Sequence, residues 1–209
     1  MITGVQELFN FDEKSQGIAI LQKFEINEFN AKLHNFSQIR DFGWKSGTMM
    51  CIYPGKYVKL EVNGELMMSD THMERKSNFD FIDNAKGDVM IAGLGIGLIL
   101  HNIRNKVNSG EIKSITIYEK YQDVIDLVSP YYNDMPITYK CQDILEYIPP
   151  KEEKYDTLYF DIWPTIDYEK NLPEIRLLHN RWKYHKKDKN SWMNSWMKEF
   201  MQYRKKVEY

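Results

Sequence analysis

From Gly87 onward the chain alternates short β-branched or apolar runs with stretches whose apolar residues recur every three to four positions. The pattern predicts strands over residues 89–92, 114–119, 137–141 and 157–161, and helices over 97–107 and 122–128. Strands joined by helical crossovers pair in parallel and carry helices on their faces, so the predicted fold class is α/β with a doubly wound parallel sheet. Before this region, Ile26, Phe29, Leu33 and Phe36 predict a helix over 26–36, and the rest of 1–48 is too mixed to assign. Extended runs follow over 49–53, 57–62 and 65–69, separated by Pro54-Gly55 and Asn63-Gly64. Asn-Gly between two strand-like runs predicts a hairpin, because both turn residues must accept positive φ. After Asp161 the pattern offers no strand. It predicts a helix over 172–187 with Pro173 in its first turn, and another over 191–206 behind a Ser191 N-cap. The expected organisation is an N-terminal helix and β-hairpin unit over 1–85, an α/β core over 86–170, and a basic, aromatic-rich helical segment over 171–209.

With 209 residues, 43% apolar and 28% charged, the chain suits one domain with an appendage and is neither disordered nor fibrous. Its longest apolar run, over 89–100, holds three glycines and falls well short of the ~20 residues a membrane span needs. The first residues lack the basic flank and apolar stretch of a secretory signal, so a soluble cytoplasmic protein is expected. Cys51 and Cys141 each sit in an apolar, β-like stretch and are expected to be buried free thiols. The five histidines show no ligand spacing, and no metal site is expected. Net charge is −2, yet from Glu174 onward ten Lys/Arg face four Asp/Glu.

The candidate chemistry lies at the carboxyl ends of the predicted strands, where ligands bind in open α/β sheets. Gly93, Gly95 and Gly97 follow the first strand; small residues there let a ligand approach the backbone, and the next helix offers free N–H groups. The G-x-G-x-G spacing leans away from a pyrophosphate cradle. Glu119 ends the second strand, 24 residues beyond Gly95, where a carboxylate can accept from both hydroxyls of a ribose. Asp143 follows the third strand and can accept from an exocyclic amine; Asp161 ends the fourth and points into the same crevice. Each acid alone reads more readily as a helix cap or a solvated loop residue than as a ligand-binding group. Four successive strands ending in glycine or acid are hard to obtain by accident.

These residues, within 86–164, resemble the Rossmann-like core of the class I S-adenosylmethionine-dependent methyltransferases, and within it the spermidine-synthase-like branch. The run Asp161-Ile162-Trp163-Pro164 with Asn171-Leu172-Pro173-Glu174 is similar to uncharacterised methyltransferase-like proteins of phages and bacteria. The resemblance implies S-adenosylmethionine as cofactor, with Gly93, Gly95 and Gly97 under its methionine part, Glu119 on the ribose, Asp143 and Ile144 at the adenine, and Asp161 near the sulfonium. Polyamine synthases of that branch carry a second aspartate after the fourth strand. Ile162 and Trp163 occupy its place here, so a polyamine synthase is not expected. The strands that normally complete the sheet are not evident either, which implies a shortened order 3-2-1-4 with C-terminal helices covering the fourth strand's edge.

The function this implies is methyl transfer to an unknown acceptor. The alternatives are a non-catalytic cofactor-binding or structural protein that kept the fold, and an aminopropyltransferase-like enzyme. If the acceptor must lose a proton, Asp161, Asp70, His72 or Glu74 could take it, provided the segment after the hairpin folds over the site. Trp163 could stack on a planar or cationic group, or serve as a structural aromatic. Lys183, Lys186, Lys187 and Lys189, with Trp182 and Tyr184 among them, read as a solvated loop or as a contact for nucleic acid. Trp192, Trp196 and Phe200 recur at helical spacing, which describes a helix packed on the sheet or on a second subunit.

Overall fold

The computed structural model describes residues 3–6, 8 and 13–207. Two sheets form the molecule. Strands β1 (Glu13–Gln16), β2 (Ala19–Ile26), β3 (Gly55–Val62) and β4 (Glu65–Ser69) make an antiparallel sheet in sequence order. The Asn63-Gly64 hairpin is present, with φ of 53° and 78° at the two turn residues. Strands β1 and β2 lie where the sequence offered no assignment; the signal there is the alternation that buries Ala19 and Leu21 and turns Ile20 and Gln22 outward. Helix α1 (Glu28–Gly47) starts behind Asn27, whose side chain accepts the Asn30 N–H at 2.8 Å, and breaks at Gly43 with φ 73°. Its predicted apolar stripe does not face the core: Phe29, Leu33 and Phe36 are 72%, 60% and 68% exposed. Residues 49–53 are not a strand, since a 3-10 turn occupies Thr48–Met50.

The second sheet is entirely parallel. It contains β5 (Gly87–Ala92), β6 (Ile112–Glu119), β7 (Ile137–Cys141), β8 (Thr157–Phe160) and β9 (Trp192–Ser195), in the order β7-β6-β5-β8-β9. Short helices α2 (His72–Ser77) and α3 (Phe79–Asn84) lead into it from the first sheet. Helices α4 (Leu98–Asn108) and α5 (Gln122–Val128) connect β5 to β6 and β6 towards β7. The Rossmann-like α/β architecture and the inner order 3-2-1-4 are therefore as the sequence predicts.

The C-terminal half corrects the prediction. Helix α6 (Tyr168–Trp182) starts at an Asp167 cap that accepts the Glu169 and Lys170 N–H groups, so Pro173 falls in its second turn. The segment over 191–206 is not one helix. Trp192–Ser195 pairs in parallel with Thr157–Phe160 and gives β8 a fifth strand as neighbour, where helices alone were expected. Ladder pairing and burial override the helical spacing of the aromatic residues. The chain turns at Met197, with φ 52°, before α7 (Lys198–Val207). Trp192 belongs to a stack with Tyr159 and Phe81, centroids 6.1 Å and 4.6 Å apart, each pair worth about 0.5–1.5 kcal/mol beyond area burial. One buried core runs through both sheets, from Leu21 and Leu60 to Met90, Phe160 and Met201. Helix α7 spends Phe200 and Met201 on that core. Neither cysteine is buried: Cys51 is half-buried and Cys141 exposed, because β7 is the sheet's edge. No described helix is long and apolar enough to cross a membrane.

Candidate functional site

At the carboxyl end of β5 three strand ends are stitched together. The Gly93 N–H donates to the Tyr118 carbonyl and the Asp161 N–H to the Ala92 carbonyl, both at 2.8 Å. Gly93 has φ 94°, and a Cβ there would stand 2.0 Å from the Asp161 carbonyl oxygen, so only glycine lets β5 and β8 approach this closely. The loop is then braced from β6. Glu119 is buried, accepting the Leu94 N–H at 2.9 Å on one oxygen and the Tyr121 N–H at 3.0 Å on the other. Burial raises its pKa, opposed by those backbone donors. A carboxylate offers about four lone-pair sites, so Glu119 retains acceptor capacity. Asp143 accepts the Leu145 N–H at 2.9 Å and pairs with Lys120 at 3.0 Å.

These strand ends open on one cleft of about 390 Å³, within the range that binds small ligands. Gly93, Gly95, Glu119, Asp143, Ile144 and Asp161 all line it. The opposite wall is the hairpin of the first sheet, through Leu60, Val62, Met67 and Met68. Met68 lies over the glycine loop: its sulfur is 2.3 Å from where a Cβ on Gly95 would stand. Gly97 is not part of the cleft wall. Its absent side chain makes room for the Tyr132 ring, whose hydroxyl donates to the Gly97 carbonyl at 2.8 Å.

Of the proposed acid–base residues, two stand in the cleft and two do not. Asp161 lines it, and burial pushes its pKa up to about 7. Glu74, on α2, lines it too; burial first, then the Asp161 charge, pushes it up to about 8. Neither carboxylate has a hydrogen-bond donor or cationic partner among the described residues. Glu74 thus brings to the cleft a carboxylate from an element other than β8. Asp70 is a structural group. It is fully buried, accepts the Val5 N–H at 2.9 Å and the Val58 N–H at 2.7 Å, and lies 3.6 Å from the Arg75 guanidinium. His72 does not line the cleft either and packs edge-on against Tyr53 at 4.7 Å.

Several wall residues escaped sequence reasoning. Trp163 was a candidate, and it is buried with its indole N–H donating to Glu174 at 2.6 Å. Trp196, read as helix packing, joins it in the wall; its N–H donates to Ser77 at 2.8 Å. Lys120 and Lys170 complete the lining. A strand ending at Ser195 would have placed Trp196 at the ligand edge, had β9 been recognised. Among the described residues, no group of three or more His, Cys, Asp or Glu could hold a metal ion.

The basic segment lies at the other end of the sheet. Lys187 pairs with Asp88, the second residue of β5, and with Asp156, just before β8. Lys183 sits over the Tyr184 ring at 4.9 Å. Arg181 donates to the carbonyls of Ile144, Leu145 and Tyr147 at 2.8–3.1 Å, which fixes the turn that follows Asp143.

No protein-family model and no curated protein matches the chain. Solved structures resemble it in part. They include an S-adenosylmethionine-dependent methyltransferase from Leishmania major, at 13% identity and TM-score 0.44 over 57% of this chain and 47% of that one. A ribosomal protein L11 methylase from Lactobacillus delbrueckii subsp. bulgaricus aligns at 16% identity and TM-score 0.43, over 66% of each chain. The plantazolicin methyltransferase BpumL, in complex with SAH, aligns at 14% identity and TM-score 0.36, over 53% of this chain and 38% of that one. This chain spans between 38% and 66% of the length of those three.

Proposed function

We propose that the cleft binds S-adenosylmethionine and that the protein is a methyltransferase. The observation that carries this reading is that four neighbouring parallel strands, β5 to β8, deliver glycine or carboxylate to one ligand-sized cleft. The donor set fits the cofactor. Gly93 and Gly95 expose backbone to its methionine part, Glu119 keeps lone pairs for ribose hydroxyls, Asp143 can accept from the adenine amine, and Ile144 gives the ring an apolar surface. The cofactor supplies a methyl group on a sulfonium cation. An anionic Asp161 beside that position favours the cation by charge, and its raised pKa lets it hold or take a proton near neutrality. Met68 and the two tryptophans keep water from the reacting end. Gly97 acts one step back, by letting Tyr132 support the start of α4.

Calorimetric titration with S-adenosylhomocysteine tests this reading. Wild type should bind, and Asp143→Ala and Glu119→Gln should each bind more weakly by about tenfold or more, the worth of one charge-assisted hydrogen bond. Glu119→Gln is preferred to alanine because glutamine keeps one acceptor for the two backbone N–H groups and alanine keeps none. Absence of binding to wild type, or unchanged affinity in both variants, would refute it. Aminopropyl transfer is a second reading, favoured by one observation: Glu74 stands with Asp161 in the cleft. Incubation with decarboxylated S-adenosylmethionine and putrescine separates the two, since methylthioadenosine release would establish the second.

A further inference from the structure

We propose that the acceptor is a monoamine carried on an apolar or aromatic body, bound as its ammonium between Glu74 and Asp161 and against the rings of Trp163 and Trp196; this names the acceptor class for the methyltransferase reading and rests on it. Glu74 and Asp161 line the same cleft yet come from different elements, α2 and the end of β8. Each is partly withdrawn from water without a partner to offset it, and the Asp161 charge bears on Glu74. Two such carboxylates in one cleft are costly unless a cation or a retained proton offsets their charge. No lysine or arginine of the described residues fills that role. Lys120 is held by Asp143, and Arg75, the cation nearest Glu74 in sequence, is turned to Asp70. In the free protein a retained proton offsets the pair, and a ligand cation can take its place.

The tryptophans narrow the ligand further. Their indole N–H groups are consumed by Glu174 and Ser77, so what they present to the cleft is ring surface. Carboxylates with aromatic faces form a site for an organic cation, through charge-assisted hydrogen bonds and cation–π contact. Lys170 lines the same cleft and would repel a second ammonium, which disfavours diamines and polyamines. An ammonium must shed one proton before its nitrogen has a free electron pair. A carboxylate beside it takes that proton: the N–H bond breaks and an O–H bond forms on Glu74 or Asp161.

The test uses benzylamine, benzyl alcohol and putrescine, titrated by calorimetry into the full chain and into Glu74→Gln and Asp161→Asn, with folding checked by circular dichroism. S-adenosylhomocysteine is titrated into the same samples. Benzylamine should bind wild type at least about tenfold more tightly than either benzyl alcohol or putrescine. Glu74→Gln should remove most of that preference while S-adenosylhomocysteine still binds. Equal affinity for amine and alcohol, or wild-type amine binding in both variants, overturns the proposal and leaves the cofactor reading standing if S-adenosylhomocysteine binds. Amine binding without any S-adenosylhomocysteine binding overturns the acceptor role together with that reading.

Discussion

Replacing Glu74 by glutamine should stabilise the protein above neutral pH and flatten the pH dependence of its stability. In the folded protein Glu74 titrates at about 8 instead of 4.5, through burial and the Asp161 charge, and Asp161 at about 7 instead of 3.8, through burial. In the unfolded chain both return to ordinary carboxylate values. Between roughly pH 4 and 8 the native state thus keeps protons that the unfolded state has released. The stabilisation linked to these protons is full below about pH 4 and is lost as pH rises through 7 and 8. At about 1.4 kcal/mol per pKa unit, Glu74 corresponds to roughly 5 kcal/mol and Asp161 to roughly 4. The two do not add, because part of the Glu74 shift comes from the Asp161 charge, and water in the cleft screens both; a total of about 2–4 kcal/mol is expected. His179, half-buried beside Ser195 and lowered to about 4, works in the opposite sense at low pH but cancels between wild type and variant. Urea unfolding followed by tryptophan fluorescence, at about pH 5.5 and about pH 8.5, measures the effect. Wild type should lose about 1–2 kcal/mol more than Glu74→Gln over that interval, because the variant keeps the Asp161 share of the total. Parallel curves for the two proteins would refute the reasoning.

Four further outcomes follow from local geometry. Gly93→Ala must place a Cβ against the Asp161 carbonyl and hold alanine at φ 94°, so a loss of about 3 kcal/mol or more is expected in thermal unfolding. Gly64→Ala, at φ 78° with open space around it, should cost about 1 kcal/mol. A thiol reagent should modify exposed Cys141 quickly in the native protein and half-buried Cys51 slowly, and Cys141→Ser should remove the fast phase. Lys187→Glu would set a third anion against Asp88 and Asp156 and should cost about 1–2 kcal/mol, whereas Lys186→Glu with Lys189→Glu should leave stability unchanged. If short RNA binds, fluorescence anisotropy should show the loss in that double variant and a steep salt dependence.

What the sequence discloses and what it hides follows from the range of each signal. Strands β5 and β8 are legible because burial on both faces writes apolar runs, β6 and β7 because β-branched residues recur in them, and the acids at their ends because the ligand edge has a fixed place relative to each strand. Asn63-Gly64 is legible because its turn demands two positive φ angles in a row. Strand β9 is not, since Trp192, Trp196 and Phe200 keep helical spacing while pairing with β8 decides the conformation of the first. The stripe of Phe29, Leu33 and Phe36 correctly marks a helix but says nothing about which way it faces. Asp70 and Glu74 lie four residues apart and read alike; one turns under β3 to satisfy backbone N–H groups and the other into the cleft. That choice is made by tertiary packing, as is the arrival of Met68 over the glycine loop.

The most direct test of the central claim is a crystal structure of the protein grown with S-adenosylhomocysteine. The ligand should lie in the cleft at the carboxyl ends of β5 to β8, with its ribose within hydrogen-bond reach of Glu119 and its adenine against Ile144 beside Asp143. A ligand found elsewhere, or a cleft closed by Met68 with no ligand in it at saturating concentration, would contradict the account.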